Sequence, residues 1–271
     1  MPEPERGPPG QSETVPLRAA DPAETVTIRS LDDIRPASVA LHQAALARGL
    51  RVATCADIAS KDQMVDADGA IINAEVFGWM GDGERWWEDT RLALSSPLPR
   101  ACRYESEPFW CNEKGFYTRW RNRYLEEMDL GDFRKRALTR SAILVPVHLA
   151  FGQIGAVSFC PIDREKLDLS AEFAAHGDFL GLLTRRYIAG YVAVMRTQQW
   201  MPSDCHLSKR EVECLRWAAI GKTDKEVSLI LGLSHATVRY HVQRAAEKLN
   251  AVNRSQTIFK AGQLGYLGAA A

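Results

Sequence analysis

Over residues 207–271 the apolar positions recur with a helical period, interrupted at regular points by capping signals. Ser208-Lys209-Arg210-Glu211 has the form of a capping box: the Ser hydroxyl serves an amide three residues on and the Glu carboxylate returns to the Ser amide. Gly221 then offers the positive φ that stops a helix. Thr223-Asp224-Lys225-Glu226 repeats the box, with Val227, Ile230 and Leu231 on one face and Gly232 at a tight turn. Ser234 caps a third segment, in which Val238, Val242, Ala245 and Leu249 form a stripe and Arg239, Tyr240 and Gln243 point the other way. A last helix after Asn253 carries Ile258, Ala261 and Leu264 on one side, an expected contact with a second copy. Two short helices joined by a Gly turn, the second with Arg and Gln on its free face, predict a helix-turn-helix that reads the major groove.

The front of the chain changes character several times. Residues 1–24 are rich in Pro, Gly and charge, which predicts a flexible arm, with structure starting at Thr25-Val26-Thr27-Ile28. A helix is expected from Pro36 to about Arg48, short strands at Val52–Cys55 and Ala70–Ile72, and helices over 84–94 and 113–138. Ile143 to Phe159 reads as two strands around a Gly-containing turn, and Ser170 to Arg196 as a long helix. The domains expected are a sensor at 25–196, a linker at 197–206 containing Pro202, and a DNA-binding domain at 207–271.

Composition adds an asymmetry. The net charge of zero divides into ten Lys/Arg against six Asp/Glu from Ser203 onward and 24 against 28 before it, so the modestly basic end suits phosphate contact. Six cysteines without a Cys-x-x-Cys pair or a His at metal spacing argue for reduced thiols in a cytoplasmic protein, with no metal or cofactor implied. No apolar run is long enough to span a bilayer. Phosphate loops, nucleophile elbows and metal clusters are missing too, which argues against an enzyme.

The run Leu207, Ser208, Arg210, Glu211, Leu215, Ala219, Gly221, Lys222, Lys225, Glu226, Leu231, Ser234, Thr237, Val238, His241, Lys248, Leu249 and Arg254 resembles the LuxR-type helix-turn-helix family, in its quorum-sensing branch. Asn250 replaces the family's usual Gly, and Asn tolerates the same left-handed backbone. The resemblance implies double-stranded DNA as partner and a homodimer. Arg239 and Gln243 would reach base edges and Tyr240 a base or a phosphate, while Lys222, Thr223, Lys225, Thr237, His241 and Arg244 would meet phosphates.

More weakly, Pro108-Phe109-Trp110 and the hairpin from Leu144 to Ser158 resemble the autoinducer-binding domain of that family. The fold class this implies is α+β: an N-terminal α-β-α sandwich with a central antiparallel sheet, followed by the all-α helix-turn-helix domain. An acyl-homoserine lactone or related small apolar ligand would then meet Trp110 through its indole N–H and Ser158 through its hydroxyl. Ser96 stands where the family has an acidic residue before Pro97, Trp87 stands in for a Tyr, Ala142 replaces a pocket-lining Gly, and Trp86, Tyr104 and Phe109 complete the candidate pocket or simply fill a core. The chief alternative is a solo regulator that binds DNA without that lactone. A degenerate receiver is the other, from Val26-Thr27-Ile28, Leu31-Asp32-Asp33 and Ala70-Ile71-Ile72, the last ending in Asn73 instead of a phosphorylated Asp.

Overall fold

The computed structural model describes residues 22–60, 62–81, 95–196 and 205–268. Its front half is built on one five-stranded sheet in the order β1-β5-β4-β2-β3, antiparallel throughout. The strands are β1 (Leu50–Cys55), β2 (Phe109–Asn112), β3 (Gly115–Tyr117), β4 (Ser141–His148) and β5 (Ile154–Pro161). Central β4 is buried along nearly its whole length, whereas edge strand β1 alternates buried and half-buried residues. The β4–β5 hairpin forms as the sequence predicts, with Phe151 and Gly152 at positive φ in its turn.

Around the sheet lie α1 (Pro22–Thr25), α2 (Ile34–Leu46), α3 (Ile72–Glu75), α4 (Pro97–Ala101), α5 (Arg123–Glu126), α6 (Phe133–Ala137) and the long α7 (Ser170–Met195). Helix α7 packs on β2, β4 and β5. A Cβ on Gly155 would come within 2.5 Å of Ile188 Cγ2, so only glycine lets α7 lie this close to β5. The Tyr187 hydroxyl on α7 meets Ser38 Oγ of α2 at 2.7 Å inside the core, pairing two groups that would be costly alone.

Period two then decides the faces. Register pairs Val52 with Phe159, Phe159 with Ile143, and Ile143 with Trp110, so these four share the face toward α7. Ala53, Ser158, Leu144 and Phe109 pair in the next row and face the other way.

Several expectations give way. The helix expected over 113–138 is instead the β2–β3 hairpin, α5 and α6, separated by Gly131 and by Asp132 at φ 52°. Its aromatic positions followed no helical stripe: Trp120 and Tyr124 are 73% and 69% exposed. Ala70–Ile72 forms a single bridge, Val65 to Ile71, before α3 instead of a strand. Pro22 to Thr25 form α1, with Ala23 in the core, so Pro22 to Glu24 of the expected arm are helical; residues 1–21 lie outside the described residues. So do the helix expected over 84–94 and linker residues 197–204.

The C-terminal part comprises α8 (Lys209–Ala219), α9 (Asp224–Leu231), α10 (His235–Lys248) and α11 (Arg254–Gln263). Ala261 of α11 is buried, Ile258 and the adjoining Leu264 are half-buried against the cluster of Leu215, Ala245 and Leu249, and Phe259 is the exposed large apolar residue of that helix. Ile230 likewise turns outward, away from buried Val227.

Candidate functional site

Each helix of the C-terminal part begins where its capping residue dictates. Ser208 Oγ accepts from Glu211 N at 3.3 Å and Glu211 Oε2 accepts from Ser208 N at 2.7 Å. Thr223 and Glu226 repeat this at 3.3 and 2.8 Å. Ser234 Oγ accepts from Thr237 N at 3.0 Å, and Gly232 turns the chain between α9 and α10 at φ 64°. Asn250 follows α10 at φ 48°, the left-handed conformation expected of it.

Helix α10 buries Val238, Ala245 and Leu249. Two clamps hold it from behind: Lys248 Nζ reaches Glu211 on α8, and buried Lys260 donates to Leu249 O and Asn250 O at 3.1 and 2.8 Å, satisfying carbonyls the helix end leaves open. Arg254 ties α11 to Asp224 and, at 2.8 Å, to Lys222 O. Burial pushes the Glu211 carboxyl up, but Lys248 and the Ser208 amide outweigh it and hold the group below its ordinary value.

The opposite face of α10 is open. Arg239, Tyr240, Gln243 and Arg244 are exposed, with Thr237 and His241 half-buried. Arg239 has no hydrogen bond or ion pair among the described residues, while Glu247 accepts from Gln243 Nε2 at 3.4 Å and Arg244 Nη1 at 2.6 Å. Lys225 is exposed, Lys222 pairs with Glu226 at 3.3 Å, and the Thr223 side chain is committed to its cap. The arrangement offers an exposed row of hydrogen-bonding side chains flanked by cations.

The second site is a cavity of about 130 Å³ on the sheet face away from α7. Ala53, Leu144, Ala156 and Ser158 form its floor, with Trp79, Leu98, Ser96 and Arg136 among its walls. Trp79 is fixed by donating Nε1 to Val52 O at 2.6 Å, with the Arg51 guanidinium 4.0 Å from its ring centroid. Cys55, Cys102 and Cys160 also line the space. Burial pushes the Cys55 thiol up to about 11 and Cys102 up to about 12, so both are uncharged at neutral pH. Asp62 lines the cavity as an exposed residue and accepts from Ser60 Oγ at 2.8 Å. Among the described residues no group of three or more His, Cys, Asp or Glu is placed to hold a metal ion.

Residues 206–261 match the family described as bacterial regulatory proteins, luxR family. The transcriptional activator protein AhyR of Aeromonas hydrophila is 30% identical over 180 residues, which cover 65% of this chain and 66% of that protein, just under two thirds. Residues 206–261 are thus a luxR-family domain. Another relative, the transcriptional activator protein LuxR of Aliivibrio fischeri, is 35% identical over 116 residues, or 43% of this chain and 45% of its own. A crystal structure of Escherichia coli SdiA aligns over 70% of this chain and 75% of that one, at 23% identity and a TM-score of 0.38.

In the front half of the chain the structure separates the residues expected at the ligand site. Ser96 and Ser158 line the cavity. Trp110 does not: it lies on the α7 face and stacks on Tyr117, ring centroids 3.9 Å apart. Phe109 faces the cavity side of the sheet but is fully buried and outside the lining, and Tyr104 stacks on Tyr124 at the surface, 5.2 Å between centroids. Trp86 and Trp87 lie outside the described residues. Trp79 and Arg136 escaped the sequence reading. No motif marks Trp79, and Arg136 sat within a segment read as one charged helix.

Proposed function

We propose that the protein is a transcriptional regulator of the quorum-sensing LuxR type, acting in the cytoplasm as a homodimer on double-stranded DNA and responding to a small molecule in the sheet cavity. The observation that carries the reading is the division of α10, with Val238, Ala245 and the adjoining Leu249 buried and Arg239, Tyr240, Gln243 and Arg244 exposed. Arg239 suits guanine O6/N7 and Gln243 adenine N6/N7, each contributing about 1–3 kcal/mol of discrimination. Tyr240 touches a base or phosphate beside them, and Lys222, Thr223, Lys225, Thr237, His241 and Arg244 fix register on phosphates. The names of AhyR and LuxR, transcriptional activators, support this output. No helix among the described residues is long and apolar enough to cross a membrane.

The ligand is an acyl-homoserine lactone or a related small molecule, supported by the hydroxyls of Ser96 and Ser158 in a largely apolar cavity. A second reading, DNA binding that needs no such lactone, is favoured by the neutral hydroxyl of Ser96 in place of a carboxylate. The deciding experiment selects DNA from a random pool with the full-length protein, then titrates the selected site with and without octanoyl-homoserine lactone. Lactone-dependent affinity supports sensing, and strong binding indifferent to the lactone supports the second reading. No preference for the selected site over random DNA refutes both.

A further inference from the structure

We infer that Ser96 and Arg136 form a hydrogen-bond donor pole at one end of the cavity, selective for a neutral ligand that presents a carbonyl oxygen. This rests on the reading of the cavity as a small-molecule site. Ser96 stands at the N-cap of α4 and is only 9% exposed, yet its hydroxyl makes no capping bond and has no partner among the described residues. The hydroxyl is not fully enclosed and opens to the cavity that Ser96 lines, which is unusual for a capping residue. A ligand acceptor would satisfy it.

Arg136 is fixed beside it through the neighbouring residue. Its Nε donates to Ser95 O at 2.9 Å, and its Nη1 to Asp129 Oδ2 and Gly131 O at 2.7 Å each, with Asp129 O at 3.4 Å. Nη2 has no partner among the described residues, and the side chain, 16% exposed, lines the cavity. Guanidinium donates and never accepts, so it sets the polarity of this end. Asp129 already balances its charge, and Asp62 adds a second carboxylate to the lining. An anionic ligand would therefore enter a largely apolar space with no free countercharge, whereas a neutral carbonyl meets two open donors. The size agrees: an apolar cavity of about 150 Å³ accepts a single six-membered ring.

The test titrates the full-length protein with γ-octanolactone, its ring-opened form 4-hydroxyoctanoate, and octanoyl-homoserine lactone. The lactones should bind about tenfold tighter than the carboxylate, and Arg136→Met should lower lactone affinity about tenfold and Ser96→Ala about threefold. Because Arg136 also holds the 129–131 loop, Asp129→Asn provides an independent reading. It removes the balancing charge and should turn the preference toward 4-hydroxyoctanoate. Tighter binding of the carboxylate by the unmodified protein overturns the inference, as does unchanged lactone affinity in Ser96→Ala or an unchanged preference for lactone over carboxylate in Asp129→Asn; lactone binding in any of these cases leaves the sensing reading intact. If none of the three compounds binds, the sensing reading and the inference fall together.

Discussion

Lys248 donates to both carboxylate oxygens of Glu211, at 3.0 and 2.8 Å, and so joins the last turn of α10 to the first turn of α8. Glu211 is nearly fully buried and Lys248 about a third exposed, so removing the lysine strands a desolvated carboxylate. Lys248→Met should cost about 2 kcal/mol of stability, read as a lower urea midpoint with an unchanged slope. A midpoint within experimental error of the unmodified protein would show the clamp to be dispensable.

The α10 residues should separate by what they touch. Arg239→Ala is expected to reduce discrimination between a selected site and random DNA by about 1–3 kcal/mol. Arg244→Ala should instead weaken both together and shallow the salt dependence by about one unit of slope. Competition titrations at several salt concentrations measure both, and equal losses on the two DNAs for Arg239→Ala would contradict a base-reading role.

Glu226 gives a pH signature. The Thr223 amide and hydroxyl and Lys222 hold its carboxyl down at about 2, against an ordinary 4.5. Because the folded value lies below the unfolded one, the contribution is fully present above about 4.5 and lost as pH falls toward about 2. Thermal melts across that window should fall less steeply with acid for Glu226→Gln. Superimposable profiles would mean that the box does not persist in solution.

Trp110 tests the face assignment. On the α7 side and stacked on Tyr117, it serves the core, so Trp110→Phe should lower the melting temperature while leaving octanoyl-homoserine lactone affinity within about twofold. Lost affinity with an unchanged melting temperature would put Trp110 back at the ligand.

Gly155→Ala places a Cβ 2.5 Å from Ile188 Cγ2 and 3.2 Å from the carbonyl oxygens of Cys55 and Ala56. The backbone oxygens have little room to yield, so a loss of about 1–3 kcal/mol is expected in urea unfolding. A neutral result would mean that α7 can lift from β5.

Much of the C-terminal part was legible because its signals are local. A capping box spans four residues, a helical stripe repeats within one or two turns, and Gly232 and Asn250 declare positive φ where they stand. These rules found the four helices and the free face of α10. They reach less far where a partner has to be known: Ile258 and Leu264 are apolar and aligned, but how much of each is covered by Leu215, Ala245 and Leu249 depends on how α11 folds back.

The sensor half shows the same boundary more sharply. Two apolar segments around a Gly-containing turn marked β4 and β5 as strands, but they left open which row of the sheet faces the cavity. Cross-strand pairing settles that, and a shift of one residue exchanges every side chain between faces. Trp110 and Phe109 are neighbours in sequence and lie on opposite sides. Ser96 was visible as a hydroxyl before a proline, while its placement beside Arg136, forty residues later in the chain, depends on Ser95 O meeting a guanidinium from another element. By itself the chain determined the capped helices of its C-terminal part and the exposed polar face of α10, because helix-forming rules act within a few residues. The tertiary structure decided which groups line the cavity, because those groups converge only through strand register and long-range hydrogen bonds.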